Sequence, residues 1–363
     1  MAVRFSWLDR PAFDGTWYIG SALAGWAMLL AHVVFGVSAL ALWWVWILFL
    51  DGPHLWATVS RTYLDPLERD GRRAVLLGSL TWGLLPLGVM VYGATTGSHV
   101  PWLIFLAFGQ VWAYWHVVRQ HYGFLVMYQR KGGEPAGAEN PVDYWAFYTL
   151  MMAPFASFAL RHPDARAALG LPAALSPFDH VAVALLGAAT AVAGVLYVGK
   201  EIRRWARGET ISGTKNLYLL SFVPLHLVTL LAPGWSTSIS LLAVAPIVTA
   251  GHNLQYEGIV WAYGRRRYSA DSARFGAAGR VFSNPLVWYG IGLGIALVMR
   301  YTSWSLDGEF GPFPEGRWTL GGFRPVEVVA AFWWFVAMHH YYLDQKIWRV
   351  SRDASVRAGL GLG

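Results

Sequence analysis

The sequence predicts an all-α fold, a polytopic transmembrane helix bundle of about ten spans with both termini cytoplasmic. It forms a single integral membrane domain over residues 1–363. Three observations carry that prediction. Hydrophobic residues make up 56% of the chain and charged residues 13%, with long uncharged stretches almost throughout. Lys and Arg fall in clusters at every second boundary between those stretches. Ionisable residues inside the stretches gather on a few of them, at a similar depth.

A spanning helix needs about 18 or more consecutive, largely apolar residues to cross the hydrocarbon core. Such stretches lie near 16–35, 37–62, 74–97, 100–129, 143–160, 178–203, 215–233, 236–264, 285–303 and 325–350. Between 17 and 50 the apolar run is almost unbroken, and "FGVSA" is the turn that separates the first two spans. The longest loops, "RHPDARAALGLPAALSPFDH" and "SWSLDGEFGPFPEGRWTLGGF", are rich in Pro and Gly. Neither a solenoid repeat nor a low-complexity tract is present.

Cytoplasmic loops carry an excess of Lys and Arg. Arg61, Arg69, Arg72 and Arg73 follow span 2, and Arg130 and Lys131 follow span 4. Lys200, Arg203, Arg204 and Arg207 follow span 6, and Arg265, Arg266 and Arg267 follow span 8. Lys346, Arg349 and Arg352 close span 10, while the opposite loops hold scattered residues such as Arg161, Arg166 and Arg317. The alternation places every even span's end, and both termini, in the cytoplasm.

The net charge of +7 is distributed as these clusters, not as one stripe, so no nucleic-acid partner is expected. The absence of cysteine excludes disulfides, thiolate nucleophiles and cysteine-held iron–sulfur clusters. The start, "MAVRFSWLDRPAFDGTW", lacks a signal peptide's apolar core and cleavage site, so the first span is expected to persist in the mature protein. The expected location is a bacterial inner (cytoplasmic) membrane.

Ionisable groups inside spans are costly and mark function. Span 2 holds Asp51 and His54 in "LDGPHLW"; span 4 holds His116, Arg119, Gln120 and His121 in "WHVVRQHYG". Span 8 has His252, Asn253, Gln255 and Glu257 in "GHNLQYEG", and span 10 has His339, His340 and Asp344 in "MHHYYLDQK". His54 lies seven residues before Arg61, His121 nine before Arg130, His252 thirteen before Arg265 and His340 nine before Arg349. At about 1.5 Å per residue, all four sit roughly 10–20 Å from the basic rim.

Imidazoles at one depth with carboxylates nearby are the ligand set of iron, and less distinctively of zinc, manganese or copper. The candidate metal ligands are His54, His116, His121, His252, Glu257, His339, His340, Asp344 and Asp51. His116 to His121 is H-x4-H and His252 to Glu257 is H-x4-E, and five residues turn a helix by about 140°, so each pair straddles an inward face. His340 and Asp344 share a face, and His339 points about 100° away. Gly52-Pro53 between Asp51 and His54 kinks span 2 and frees backbone groups there.

Each residue also has a plainer reading. A single histidine in a span is usually a hydrogen-bonded packing residue, a role that fits His32 and His226. His226 is nevertheless eleven residues from Lys215 on an oppositely running span, which puts it at the same level. His99, His162 and His180 lie at loop edges and are expected to be solvated. Lys346 and Arg349 fit snorkelling cations. Arg119, between two candidate ligands, either snorkels or orients a carboxylate such as Glu257 or Asp344 as a catalytic-site residue. Trp112, Tyr114, Trp115, Tyr122, Tyr256, Tyr341 and Tyr342 either pack or line a cavity for a long apolar ligand.

At these residues the chain resembles the membrane-bound histidine-motif non-haem iron oxygenases, the desaturases, hydroxylases and alkane monooxygenases. "HVVRQH" is similar to their first H-x(3,4)-H box, and "HH" at 339–340 resembles part of a later one. Two further H-x(2,3)-H-H boxes are missing, and those families have about four spans. A looser likeness is to the Brp/Blh family of carotene-cleaving dioxygenases, through "DGPHLW", "HVVRQHYGF" and "HHYYLDQKIWR". The likeness covers about forty residues, and His252 and Glu257 have no counterpart in it.

The resemblance implies one or two non-haem irons, O2 as cosubstrate and a lipophilic substrate held within membrane lipid. Glu257, Asp344 and Arg119 are then the candidate catalytic residues. With no flavin or ferredoxin motif, electrons come from an external donor if the reaction requires them. Two other classes fit the inventory less fully. A bis-histidine haem protein needs two facing imidazoles but neither Glu257 nor Asp344. A proton-coupled transporter uses intramembrane His and Asp relays, but the internal repeat common in carriers is missing.

Overall fold

The computed structural model describes residues 3–232, 234–268, 271–306, 319–350 and 353–361, so Arg317, Arg352 and most of the loop after span 9 lie outside the described residues. The chain is mostly helical. Its longer helices are α1 (Ala22–Val33), α2 (Ala39–Thr62), α3 (Arg73–Thr96), α4 (Val100–Lys131) and α5 (Pro141–Arg161). They continue as α6 (Pro177–Ala206), α7 (Gly213–Leu231), α8 (Leu241–Tyr268), α9 (Pro285–Leu306) and α10 (Pro325–Ile347). By length and composition α2, α3, α6 and α7 are long and apolar enough to cross a membrane. The sequence did not suggest a strand, yet β1 (Val3–Arg4) pairs in parallel with β2 (Ile211–Ser212).

Local chemistry sets the helix ends. The break inside "FGVSA" falls at Gly36, whose φ of 68° lies in the left-handed region where a side chain is strained. Ser176 and Asp179 form a reciprocal capping box at the start of α6. Ser212 accepts from the Lys215 N–H at the start of α7. α2 is interrupted by a π-helical turn, Ile47–Asp51, in which the Gly52 N–H reaches back to the Ile47 carbonyl. Pro53 follows directly, and a missing N–H is what a π turn accommodates. Along α6, Val181, Leu185, Val195 and Leu196 all face outward, which a lipid solvent tolerates and water does not.

The packing groups the chain into two compact units, each made of two chain segments. The first comprises 1–44 and 113–255, the second 45–112 and 256–363. In the second unit α3 packs on α10 around Met90, Trp102, Phe105, Phe323, Ala331 and Met338. There α2 meets α9 through missing side chains. A Cβ on Gly52 would sit 2.2 Å from the Ala296 Cβ, and one on Gly292 2.9 Å from the Pro53 Cα.

The first unit carries a charged core. Lys215 is fully buried, and its Nζ lies 2.7 Å from Glu134, 3.1 Å from Glu201 and 3.3 Å from Asp143. Lys200 pairs with Asp143 and Glu201, and Arg204 lies 2.6 Å from Glu134. Three cations thus meet three carboxylates, with Gln129 also donating to the Asp143 oxygen that Lys215 uses and Asn216 to the second oxygen of Glu201. Balance and hydrogen bonding are what make buried charge tolerable. Replacing Lys215 by Met leaves the three acids against two cations and is expected to cost about 3–5 kcal/mol. A thermal melt in detergent followed by tryptophan fluorescence measures it, and a midpoint equal to the wild type's would show the pairing to be dispensable.

Candidate metal centre

In the second unit, α2, α8 and α10 supply the polar groups. His54 and His340 are both buried, with their Nε2 atoms 2.8 Å apart. Thr58 lies one turn beyond His54 on the same face of α2. Its hydroxyl lies 2.7 Å from His340 Nδ1, 2.7 Å from the Tyr256 hydroxyl and 3.3 Å from Asp344 Oδ1. Tyr256 donates to Asp344 Oδ1 at 2.6 Å. With Thr58's single hydrogen given to Tyr256 or Asp344, His340 donates from Nδ1 and keeps its lone pair on Nε2. That is the state of a metal-ligating imidazole held from behind.

Of the rest of the predicted set in this unit, Asp344 joins that pair. Asp344 Oδ2 is 3.5 Å from His340 Nε2, as four-residue spacing on one helix allows. Glu257 is buried, and its Oε1 has no hydrogen-bond partner among the described residues. His339 turns elsewhere, its Nε2 2.8 Å from the Tyr63 hydroxyl. Its roughly 100° offset from His340 along α10 accounts for the separate partner. Arg61, a further turn along α2, is buried between the rings of Tyr263 and Trp348 at 4.5 and 3.9 Å.

In the first unit, α4, α7 and α8 bring four imidazoles together. The His116 ring centroid is 5.2 Å from that of His252, and the His121 centroid is 6.4 Å from it. Both members of H-x4-H therefore flank His252, as the turn of α4 between them allows. His121 also lies 5.7 Å from His226. Behind His121, Nδ1 meets the Tyr218 hydroxyl at 2.7 Å, and Tyr218 is in turn held by Gln255 at 3.2 Å. Gln255 is anchored to the Tyr18 carbonyl at 2.7 Å, and Gln120 to the His252 carbonyl at 2.8 Å. The Nε2 atoms of His121 and His226 are buried with no hydrogen-bond partner among the described residues.

Arg119 donates to the Tyr148 hydroxyl and lies over Tyr122 and Trp115 at 5.5 and 6.0 Å. The aromatics pack on one another within each unit: Tyr114 on Phe155 and Trp115 on Tyr148 in the first, and Trp82 on Tyr342 in the second. His32 bonds the Val37 carbonyl at 2.7 Å, a packing role. His162 departs from its expected solvation. It is buried, bonds the Ile239 carbonyl at 2.7 Å and caps the short helix Pro163–Ala168.

Sequence reasoning passed over Thr58 and Tyr218. Thr58 had a signal, its i+4 spacing from His54; Tyr218 had none. Thr58→Val keeps the shape and removes the hydroxyl shared by Tyr256, His340 and Asp344. The expected cost is about 1–3 kcal/mol of stability, restored by Thr58→Ser. Melting the two variants side by side checks it, and a Val variant as stable as Ser would show the hydroxyl to be idle.

Comparison with protein-family models, with curated proteins and with solved structures finds no match to this chain.

Proposed function

We propose that the chain is a membrane-embedded non-haem iron oxygenase, a hydroxylase or desaturase that uses O2 on a lipophilic substrate near the cytoplasmic side. One observation supports the reading most: buried imidazoles backed by hydroxyl groups, with Nε2 atoms turned away from those partners. In apolar surroundings a ring nitrogen without a partner, as His121 Nε2 is among the described residues, is a cost that a metal ion removes. His54, His116, His121, His252 and His340 would be the nitrogen ligands, with Glu257 and Asp344 as carboxylates. Asp51 and His339 stand further out in the proposal, beside Glu257 and Tyr63 respectively.

Iron, when bound, supplies activation of O2. The chain's own residues do the rest. Thr58, Tyr256 and Tyr218 hold the rings, apolar surroundings exclude water, and Asp344 accepts a hydrogen bond from Tyr256. Arg119, tied to Tyr148, positions α4 beside its two histidines. Any electrons come from an external donor.

Elemental analysis and an absorption spectrum of the purified protein test this reading. Iron at one or two equivalents without a Soret band is expected; a Soret band would make it a haem protein. No stoichiometric metal after anaerobic iron reconstitution would overturn it. His121→Ala and His340→Ala are each expected to lose metal, and the exposed His180→Ala to retain it.

The reading includes ten spans with both termini cytoplasmic, which the alternating basic clusters support. Because the chain has no cysteine, single-cysteine variants label without background. Ala173→Cys is expected to react with an impermeant thiol reagent in intact cells, and Arg207→Cys only in broken ones. The reverse pattern would sink the topology.

A further inference from the structure

His226 offers more than packing. It lies on α7 in the first unit, fully buried, with Pro224 two residues before it. Its Nδ1 is 3.0 Å from the Tyr114 hydroxyl. Tyr114 has one hydrogen, and it goes to the Met151 carbonyl, also at 3.0 Å, an oxygen that only accepts. The contact with His226 therefore runs the other way: Nδ1–H donates and Tyr114 accepts. The tautomer follows. Nε2 carries the lone pair, is buried, and has no hydrogen-bond partner among the described residues.

A packing histidine would use that lone pair or turn it to solvent. Here the ring is held from behind by a neutral group and aimed forward with an empty acceptor. The nearest similar ring is His121, whose centroid is 5.7 Å away at a steep interplanar angle of 85°. Its Nδ1 is held by Tyr218, and its Nε2 is likewise buried and without a hydrogen-bond partner among the described residues. When Tyr218 gives its hydrogen to Gln255 Oε1, 3.4 Å away, His121 also holds its lone pair on Nε2, and two imidazoles backed at Nδ1 by tyrosine hydroxyls then form a paired ligand set. No carboxylate is needed for them, so the set suits a borderline divalent transition ion better than a hard one.

We propose that His226 and His121 bind a divalent transition metal through their Nε2 atoms, with Tyr114 and Tyr218 positioning the two rings. The inference rests on the metal reading above and adds His226 to its ligands and Tyr114 to its positioning residues. The test is a titration of the chelator-stripped, full-length protein in detergent with cobalt(II), read by its visible d–d absorption.

Wild type is expected to develop the band, and His226→Ala to lose it or need at least about tenfold more cobalt. Free imidazole, able to fill the space left by the ring, is expected to restore it. Tyr114→Phe keeps the ring stacked on Phe155, 4.2 Å between centroids, and removes the acceptor. It is expected to weaken cobalt binding about 10–100-fold, and it decides the matter if His226→Ala aggregates. Wild-type titrations for both variants, with His340→Ala binding none, would overturn this inference and leave the iron proposal standing. A wild-type protein that binds no cobalt and no iron would overturn both.

Discussion

Polar side chains buried among apolar helices have no water to fall back on, so each must find its partners within the protein. Much of this chain's architecture follows from that. Lys215 is admitted to the interior because Glu134, Asp143 and Glu201 surround it, with Gln129 and Asn216 adding hydrogen bonds to Asp143 and Glu201. Arg166 is admitted because the carbonyls of Leu160, Pro172 and Ala174 and the Asp179 carboxylate take up its fork. Against that background, the buried Nε2 atoms of His121 and His226 and the Oε1 of Glu257 are exceptions. Exceptions to a strict rule are where chemistry is to be sought.

Backbone geometry decides which side chains face that interior. The π turn Ile47–Asp51 inserts an extra residue into α2 and shifts the face presented by everything beyond it by roughly 100°. His54, Thr58 and Arg61 follow the turn at spacings of four and three, so they share one stripe. Close approach of α9 to that segment requires Gly52 and Gly292, since a Cβ at either would collide with its neighbour. The small residues thus bring the helices together, and the π turn sets the rotation at which they meet.

Much of this is legible in the residues and some is not. Apolar runs mark each of the ten longer helices, and basic clusters the ends of every second one, because length and hydropathy are local properties. The histidines announce themselves as ionisable groups in apolar stretches. Partners are harder: Tyr218 lies 97 residues from His121, and Tyr114 lies 112 from His226. No periodicity links residues so distant. His162 misleads for the opposite reason. A loop-edge position predicts exposure, whereas a cap to one helix and a bond to Ile239, 77 residues on, bury it. The Lys215 cluster, too, looks like a set of separate topology signals until the fold gathers them.

The choice of backing group has its own consequence. A carboxylate behind an imidazole raises its basicity but brings a second charge that must be desolvated. Tyrosine and threonine hydroxyls hold the ring as firmly and carry no charge, which suits an apolar medium. In the first unit, Tyr114 and Tyr218 fill that role. A bound cation there would keep its full charge, favouring ions that bind nitrogen strongly over ions that need anionic oxygen. In the second unit Asp344 stands beside His340, and Tyr256 and Thr58 both hydrogen-bond its carboxyl group. On the proposed reading the two units would thus offer ligand sets of different hardness, set by which helices carry the acids.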